Sequence, residues 1–246
     1  MILWNKKKKE YPDGRKYEGD LVNGVPNGNG IMRFPGGAGC YEGEWKDGVR
    51  YGRGKATYSD GSWYEGEWKD GVYHGNGKGF HDNIRIEGVF VNGKLNRGKA
   101  MYLDGSWYDG EWKENDREGY GKCHFSDGCF YEGEWRGGKP SGKGKYQHSD
   151  RYVYEGDMLE GDEWGYGKMY YPDGNLMLEG TWERDSPIKG IRYFPDSTRY
   201  EGEFRGFKMH GEGTYYFENG TYFVGIFEDD LPVDGVRYLA DGSTND

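Results

Sequence analysis

A repeat of about 23 residues fills this chain and restricts the folds that it can adopt. The segment Tyr-Glu-Gly-Glu-Trp recurs at residues 41–45, 64–68 and 131–135. Ten segments begin with a large apolar residue that is followed two positions later by a glycine. Successive segments begin 22 to 24 residues apart. Internal repeats of roughly this length are typical of arrays in which each unit stacks on its neighbours. The starts are Tyr17, Tyr41, Tyr64, Ile86, Tyr108, Tyr131, Tyr154, Leu178, Tyr200 and Phe223.

Two turn signals in each unit predict one β-hairpin per unit. One Asp-Gly pair follows the first strand, as at residues 47–48, and another closes the unit, as at residues 60–61. Glycine accepts positive φ without strain, so such pairs strongly indicate hairpins. The repeat therefore predicts an all-β meander of roughly twenty antiparallel strands. Asn96 and Ile188 replace the first glycine of the Gly-x-Gly that most units carry, and we expect local distortion there.

The two faces of each predicted strand differ in composition. Side chains alternate along a strand, so Tyr41, Gly43 and Trp45 share one face, and their intervening glutamates share the other. The chain has 46 glycines among 246 residues, together with 9 Trp, 23 Tyr and 11 Phe. We expect the rings of one hairpin to rest in the gaps that glycines leave in the next hairpin. His81 and His148 align with aromatic positions, and we expect them to replace rings.

The second face is predicted to carry alternating rows of opposite charge. Neighbouring strands lie about 4.8 Å apart, and cross-strand ion pairs contribute roughly 0.2–1 kcal/mol each. These rows explain most of the charge without an active site. The acids are Glu18, Glu42, Glu65, Glu87, Asp109, Glu132, Glu155, Glu179 and Glu201, and the bases are Lys55, Lys78, Lys99, Lys122, Lys145 and Lys168.

The unit resembles the MORN (membrane occupation and recognition nexus) repeat. Residues 41–63 and 64–82 follow its Tyr-x-Gly-x-Trp-x-x-Gly pattern with a later Gly-x-Gly, and the resemblance extends over about 17–242. It implies a single-layer, curved and twisted antiparallel β-hairpin solenoid of about ten repeats. Such arrays are non-catalytic scaffolds in cilia, including radial-spoke heads, in cytoskeletal complexes and at membrane junctions.

The repeats predict a simple domain organisation. We expect an N-terminal tail with a partial hairpin at 1–16, the repeat array at 17–242 and a C-terminal tail at 243–246, with no second domain. Residues 1–10 have too short an apolar part for a secretory leader. Three cysteines do not form a disulfide framework. We therefore expect an intracellular protein of the cytoplasm or cytoskeleton, and the family resemblance adds the ciliary axoneme.

The sequence predicts no catalytic, cofactor-binding or metal-binding residues. The five histidines are dispersed, and Cys123, His124 and Cys129 lack further ligands in their hairpin. The Gly-x-Gly strings recur in most units without a following helix, unlike phosphate-binding loops. A net charge of −10 disfavours nucleic acid and weakens attraction to anionic lipid.

Two surfaces are candidates for binding a protein partner. One is an aromatic-glycine groove, whose central tyrosines offer area and a hydroxyl. The other is the residue before each start, on the charged face. A scaffold in a cytoskeletal or ciliary multi-subunit assembly is the main hypothesis. The alternatives are a membrane-proximal adaptor for anionic phospholipids and a component of a large particle, and a homodimer through the sheet ends stays open. The residues are Tyr41, Tyr64, Tyr108, Tyr131 and Tyr154 on the first surface, and Trp63, Trp107 and Phe130 on the second.

Overall fold

A computed structural model describes residues 7–244 and confirms the all-β prediction. These residues form 21 strands and one 3-10 turn at Pro35–Gly37, and no α-helix occurs among them. Lys6 of the predicted tail and the last two residues lie outside the described range. The chain divides into two compact units, Met1–Gly119 and Tyr120–Asp246, which we describe separately.

The strands of the first unit form an antiparallel meander in which each strand pairs with the next in the chain. The lysine-rich strand β1 is thus the first member of the sheet. The strands are β1 Lys7–Glu10, β2 Lys16–Val22, β3 Val25–Arg33, β4 Gly39–Lys46, β5 Val49–Tyr58, β6 Trp63–Lys69, β7 Val72–His81, β8 Ile84–Val91, β9 Lys94–Met101 and β10 Trp107–Lys113.

The second unit repeats this arrangement from β12 to β21. Strand β11, Asp116–His124, contains the boundary between the units. The remaining strands are β12 Phe130–Arg136, β13 Lys139–Gln147, β14 Val153–Leu159, β15 Asp162–Tyr170, β16 Leu176–Glu183, β17 Ser186–Tyr193, β18 Arg199–Arg205, β19 Lys208–Tyr216, β20 Tyr222–Glu228 and β21 Leu231–Tyr238.

One register recurs through both meanders and sets glycine opposite glycine. Gly54 lies opposite Gly43 within its hairpin and opposite Gly66 in the next hairpin. The same register places Lys55 between Glu42 and Glu65, which confirms the predicted rows of charge. The Lys55 ammonium lies 3.6 Å from the Glu65 carboxylate, and both side chains are about half exposed. Such exposed pairs stabilise the sheet only weakly.

Most of the turns that close a unit are held by an aspartate or asparagine side chain. In the closing turn of the second repeat, the Tyr58 amide donates to the Ser62 carbonyl at 2.9 Å. The Asp60 carboxylate accepts from the Ser62 amide at 2.9 Å and from its hydroxyl at 2.6 Å. These hydrogen bonds hold the pKa of Asp60 below its ordinary value. The turn therefore fixes the direction in which the chain enters the next hairpin.

The turns within the hairpins stack on one another from repeat to repeat. The Gly48 amide donates to the Pro26 carbonyl at 2.9 Å, and the Gly71 amide donates to the Arg50 carbonyl at 3.1 Å. Asp47 and Gly48 have positive φ, as a tight hairpin turn requires. The stacking holds the first residues of each second strand against the neighbouring repeat.

Candidate partner-binding surfaces

The repeated tyrosines form the core and cover the glycines of their own hairpins. A Cβ atom on Gly54 would lie 2.2 Å from the Tyr41 hydroxyl oxygen and 2.5 Å from its ring. The same closeness recurs between Tyr64 and Gly77. The predicted role of glycine is therefore confirmed. The prediction that each ring rests on the next hairpin was wrong, because the ring crosses to the paired strand of its own hairpin.

The tryptophans supply the contacts between successive hairpins. The Trp68 ring meets the Tyr41 ring of the preceding repeat edge to face, with centroids 5.1 Å apart. Its indole Nε1 donates to the Gly54 carbonyl at 3.0 Å. This contact joins the core of one repeat to the next. The same indole-to-glycine hydrogen bond recurs at Trp45, Trp112, Trp135 and Trp182.

A bulge in the second strand gives each tyrosine hydroxyl its acceptor. The Tyr41 hydroxyl donates to the Glu44 carbonyl at 3.0 Å, and the Glu44 carboxylate accepts from the Arg53 amide at 2.8 Å. Gly52 makes the bulge with a φ of 62°. Seven tyrosines donate in this way to the carbonyl three residues on: Tyr17, Tyr41, Tyr64, Tyr108, Tyr131, Tyr154 and Tyr200.

Three repeats lack both the tyrosine and the longer bulge. They start at Ile86, Leu178 and Phe223, and their start lies 12 rather than 13 residues before the second glycine. Two of them are the repeats in which Asn96 or Ile188 replaces the first glycine, as the sequence indicated. The expected distortion there is thus a shorter bulge.

A further position in each second strand lies beside the residue that starts the repeat and, where that residue is a tyrosine, shields it from solvent. The Arg50 guanidinium lies 5.2 Å from the Tyr41 ring centroid and 5.0 Å from that of Trp68. Tyr73 stacks on Tyr64 with centroids 3.8 Å apart. Burial raises the pKa of Tyr64 to about 12. We call these positions cover residues: Pro26, Arg50, Tyr73, Leu95, Arg117, Pro140, Glu163, Pro187, Met209 and Pro232.

The five tyrosines predicted to line a groove are therefore buried. Their exposed fractions do not exceed 2%. Several of the cover residues above them are themselves buried, among them Leu95, Glu163 and Met209. Direct partner binding by the tyrosines stays a prediction, and their observed contacts are with the core. They are Tyr41, Tyr64, Tyr108, Tyr131 and Tyr154.

The second predicted surface consists of half-buried rings that pack beside lysines. Trp63, Trp107 and Phe130 are all of intermediate exposure. The Lys55 ammonium lies 5.4 Å from the Trp63 ring centroid, and the Lys99 ammonium lies 4.4 Å from that of Trp107. Lysine stems thus accompany two of these rings, and partner binding there stays a prediction.

A further series of rings, which sequence reasoning did not propose as a site, stands at the closing turns. Each member donates its backbone amide across the turn and is half buried. The signal was present in the sequence, because a ring precedes most Asp-Gly pairs by two positions. We call this series the closing-turn row. It comprises Phe34, Tyr58 and Tyr102 in the first unit, and Phe125, His148, Tyr171, Phe194 and Phe217 in the second.

The two histidines expected to replace rings behave differently. His148 belongs to the closing-turn row, and its ring centroid lies 4.8 Å from that of Tyr146. His81 does not, so that prediction was wrong. Its turn is shortened to Asp82 and Asn83, both at positive φ, and the exposed imidazole pairs with Asp82 at 3.0 Å. The closing-turn row is therefore interrupted between the third and fourth repeats.

Metal-binding clusters and membrane-spanning helices are absent from the part of the chain that the structure describes. Residues 7–244 contain no group of three or more His, Cys, Asp or Glu side chains that could hold a metal ion. No helix suited to crossing a membrane occurs in this range. All three cysteines are free thiols.

A family model of the MORN repeat matches seven segments of the chain: 17–39, 41–63, 64–78, 108–130, 131–151, 154–176 and 200–222. The chain belongs to the MORN repeat family. The matched MORN repeats are the seven that start with tyrosine, and the three short-bulge repeats are passed over. Proteins of this family are generally non-catalytic scaffolds for protein or membrane interaction.

Other comparisons give little beyond this. No curated protein matches the sequence. The SAS-4 (dCPAP) TCP domain of Drosophila melanogaster, solved with a proline-rich motif of Ana2 (dSTIL), shares 12% identity at a TM-score of 0.34, over 72% of this chain and 90% of that one. The E1021V mutant of the Danio rerio CPAP TCP10 domain shares 12% at 0.28, over 97% and 96%. These scores are too low to support an argument.

Proposed function

We propose that this MORN-repeat protein is a non-catalytic scaffold that binds partner proteins along its closing-turn row. The supporting observation is a half-buried ring at nearly every closing turn, on a face whose tyrosines are already engaged in the core. Aromatic side chains of this kind are favoured at protein interfaces. The setting that the family resemblance suggests is an intracellular cytoskeletal or ciliary assembly, such as a radial-spoke head.

The buried tyrosines support the rings of the closing-turn row through packing contacts. Tyr64 supports Tyr73 by stacking, and Tyr73 in turn meets Tyr58 of the closing-turn row with hydroxyl oxygens 2.9 Å apart. A substitution of Tyr64 would therefore disturb the binding surface together with the fold. For this reason the function is tested at the row itself.

The test compares two double variants in the first unit. Tyr58→Ser/Tyr102→Ser removes rings of the closing-turn row, and Trp63→Ser/Trp107→Ser removes rings of the opposite face. A partner is first identified by affinity purification from the native cell and then produced in pure form. We expect the first variant to lose binding and the second to retain it, in calorimetry with both folds checked by circular dichroism.

The opposite result would assign the interface to Trp63, Trp107 and Phe130. Unchanged binding by both variants would contradict the proposal for either surface. Sedimentation velocity of the purified chain tests the predicted homodimer.

The lipid-adaptor alternative has less support in the charges. Residues 6–9 are four consecutive lysines. Within strand β1, Lys9 donates to the Gly24 carbonyl, and Lys7 and Lys8 are exposed. Two to four lysines at about 1 kcal/mol each give weak attachment. We expect no co-sedimentation with phosphoinositide vesicles at physiological salt, and clear co-sedimentation would favour the adaptor.

A further inference from the structure

A cavity of about 870 Å³ lies in the first unit, where the closing-turn row is interrupted. Its lining includes Tyr58, Tyr73, Phe90, Tyr102 and Trp112. These residues come from three successive hairpins and a closing turn on either side. Binding sites in proteins are commonly concave, mostly aromatic and of this size.

Three departures from the repeat create the cavity. Ile86 replaces the tyrosine ring, and Gly79 lies opposite Ile86 in the register. The shortened turn points His81 outward, as its exposure shows. As a result the edge of Trp112 is half exposed, whereas Trp68 in a regular repeat is only 3% exposed.

The lining favours a cation. Two carboxylates, those of Asp60 and Asp82, line the cavity, and its described lining includes no lysine or arginine. The side chain of Asp82 is 79% exposed and contacts the His81 imidazole, which also lines the cavity, at 3.0 Å, so a cation that enters from solvent competes with that contact. Aromatic faces attract ammonium and guanidinium groups, most strongly when the cation is desolvated. A group with an apolar stem and a cationic head matches both features.

The chain itself shows which cation the closing-turn rings accept. Guanidinium groups lie over four rings of the closing-turn row. The distances from Cζ to the ring centroid are 5.4 Å for Arg50 on Phe34, 5.7 Å for Arg117 on Tyr102, 4.9 Å for Arg192 on Phe194 and 4.5 Å for Arg237 on Phe217. Beside the cavity, Tyr58 contacts Tyr73 instead, and the cover residue of the fourth repeat is Leu95.

We propose that this cavity binds an arginine side chain of the partner protein. The inference rests on the proposed scaffold function and names the chemistry of the partner at one position. The guanidinium lies on the ring of Tyr58, beside the Tyr102 ring that Arg117 already covers, and its stem packs on Leu95. The carboxylates of Asp60 and Asp82 neutralise its charge.

The test is a nuclear magnetic resonance titration with the peptide acetyl-Gly-Ser-Arg-Ser-Gly-amide. The indole Nε1–H signal of Trp112 reports on the cavity, and that of Trp182, 1% exposed in the second unit, is the internal control. We expect a saturable shift of the Trp112 signal and no shift of the Trp182 signal. The citrulline peptide, which keeps the shape without the charge, should bind about tenfold more weakly.

Matched variants locate the site. Ile86→Phe places a ring in the cavity, following Phe223, whose ring covers Gly235 in another short-bulge repeat. It should weaken the Trp112 response while the fold is retained. Asp82→Asn should weaken binding about two- to fivefold. Asp70→Asn, a turn residue of similar φ that lies outside the cavity lining, should leave binding unchanged.

Two results would overturn the inference. They are equal binding of the arginine and citrulline peptides, and a Trp112 response that Ile86→Phe leaves unchanged. If the purified partner still requires Tyr58 and Tyr102 in either case, the scaffold function stands without the arginine. If the partner binds independently of the closing-turn row, the proposed function itself fails.

Discussion

Ile86 in the first unit and Leu178 in the second occupy the same position of their repeats, yet their surroundings differ. Each replaces the tyrosine of a repeat, and each lies 12 residues before the second glycine. Leu178 is fully buried, whereas Ile86 is half buried beside a cavity of about 870 Å³. The loss of the tyrosine ring therefore does not by itself open a cavity.

The difference lies in the strand that precedes each residue. Leu178 faces Met169, which is 4% exposed, whereas Ile86 faces Gly79. On the other side, Leu178 faces Arg192 and Ile86 faces only Ala100. Large neighbours thus fill the space that a missing ring leaves, and small neighbours do not. The core of each repeat is built jointly with the repeats beside it.

Gly66→Val sets the scale of these effects in a regular repeat. A Cβ there would lie 2.5 Å from the Gly77 Cα and 2.7 Å from the Tyr64 hydroxyl oxygen. Because the opposing atoms include backbone, the ring and strand must both shift, and we expect a loss of about 3 kcal/mol or more in the free energy of unfolding. Thr181→Val, exposed in a central strand, should change it by less than about 0.5 kcal/mol. Equal urea midpoints for Gly66→Val and the wild type would contradict the observed packing.

Met169→Ala should convert the Leu178 region into one that resembles the Ile86 region. Removal of a buried methionine side chain that faces Leu178 leaves a cavity, at a cost of about 2–3 kcal/mol in urea unfolding. Met101→Ala, which removes an exposed methionine, is the control. If both variants lose the same stability, neighbouring volume does not explain the comparison.

Phenylalanine substitutions at Ile86 and Leu178 should change the free energy of unfolding in opposite directions. Ile86→Phe places a ring in existing space and should stabilise the protein by about 1 kcal/mol. Leu178→Phe adds volume to a filled core and should destabilise it by about 1–3 kcal/mol. Thermal and urea unfolding of the two variants check the signs. Destabilisation by Ile86→Phe to the same degree would break the comparison.

Much of the fold was predictable from the sequence, because the residues that recur in the repeats are those that most units need in order to fold. The hairpins, the glycine positions and the ion-pair rows follow from period-2 alternation and turn chemistry. The cover residues were missed because their identity changes freely, from Arg50 to Tyr73 to Pro140. The carboxylate of Glu44 was assigned to the charged face, but the bulge at Gly52 directs it to a backbone amide. Alternation cannot locate a bulge, and an alignment on Asp-Gly pairs cannot reveal the shortened turn after His81.

The smallest expected effect is on the pH dependence of stability. It compares His148, at an intact closing turn, with His81, where the closing-turn row is interrupted. His148 lies 2.8 Å from Glu163, which is 2% exposed. The hydrogen bond to Glu163 raises the pKa of His148 above its ordinary 6.5, and burial raises that of Glu163 above 4.5. Both groups thus hold protons more tightly in the folded state, so stability falls as pH rises through this range and beyond 6.5.

His148→Phe tests this pH dependence, since Phe125 occupies the equivalent position of the preceding repeat. We expect urea unfolding of the wild type to show a loss below about 1 kcal/mol between pH 6.5 and 8, because the partly exposed imidazole is screened by solvent. The variant should lose the contribution of His148 but keep that of Glu163, whose pKa the His148 hydrogen bond lowers in the wild type, so its slope should differ from that of the wild type. His81→Phe should keep the wild-type slope, because the His81 imidazole is 66% exposed. If the two variants retain equal slopes, the buried carboxylate does not govern the titration, and the intact and interrupted turns differ only in shape.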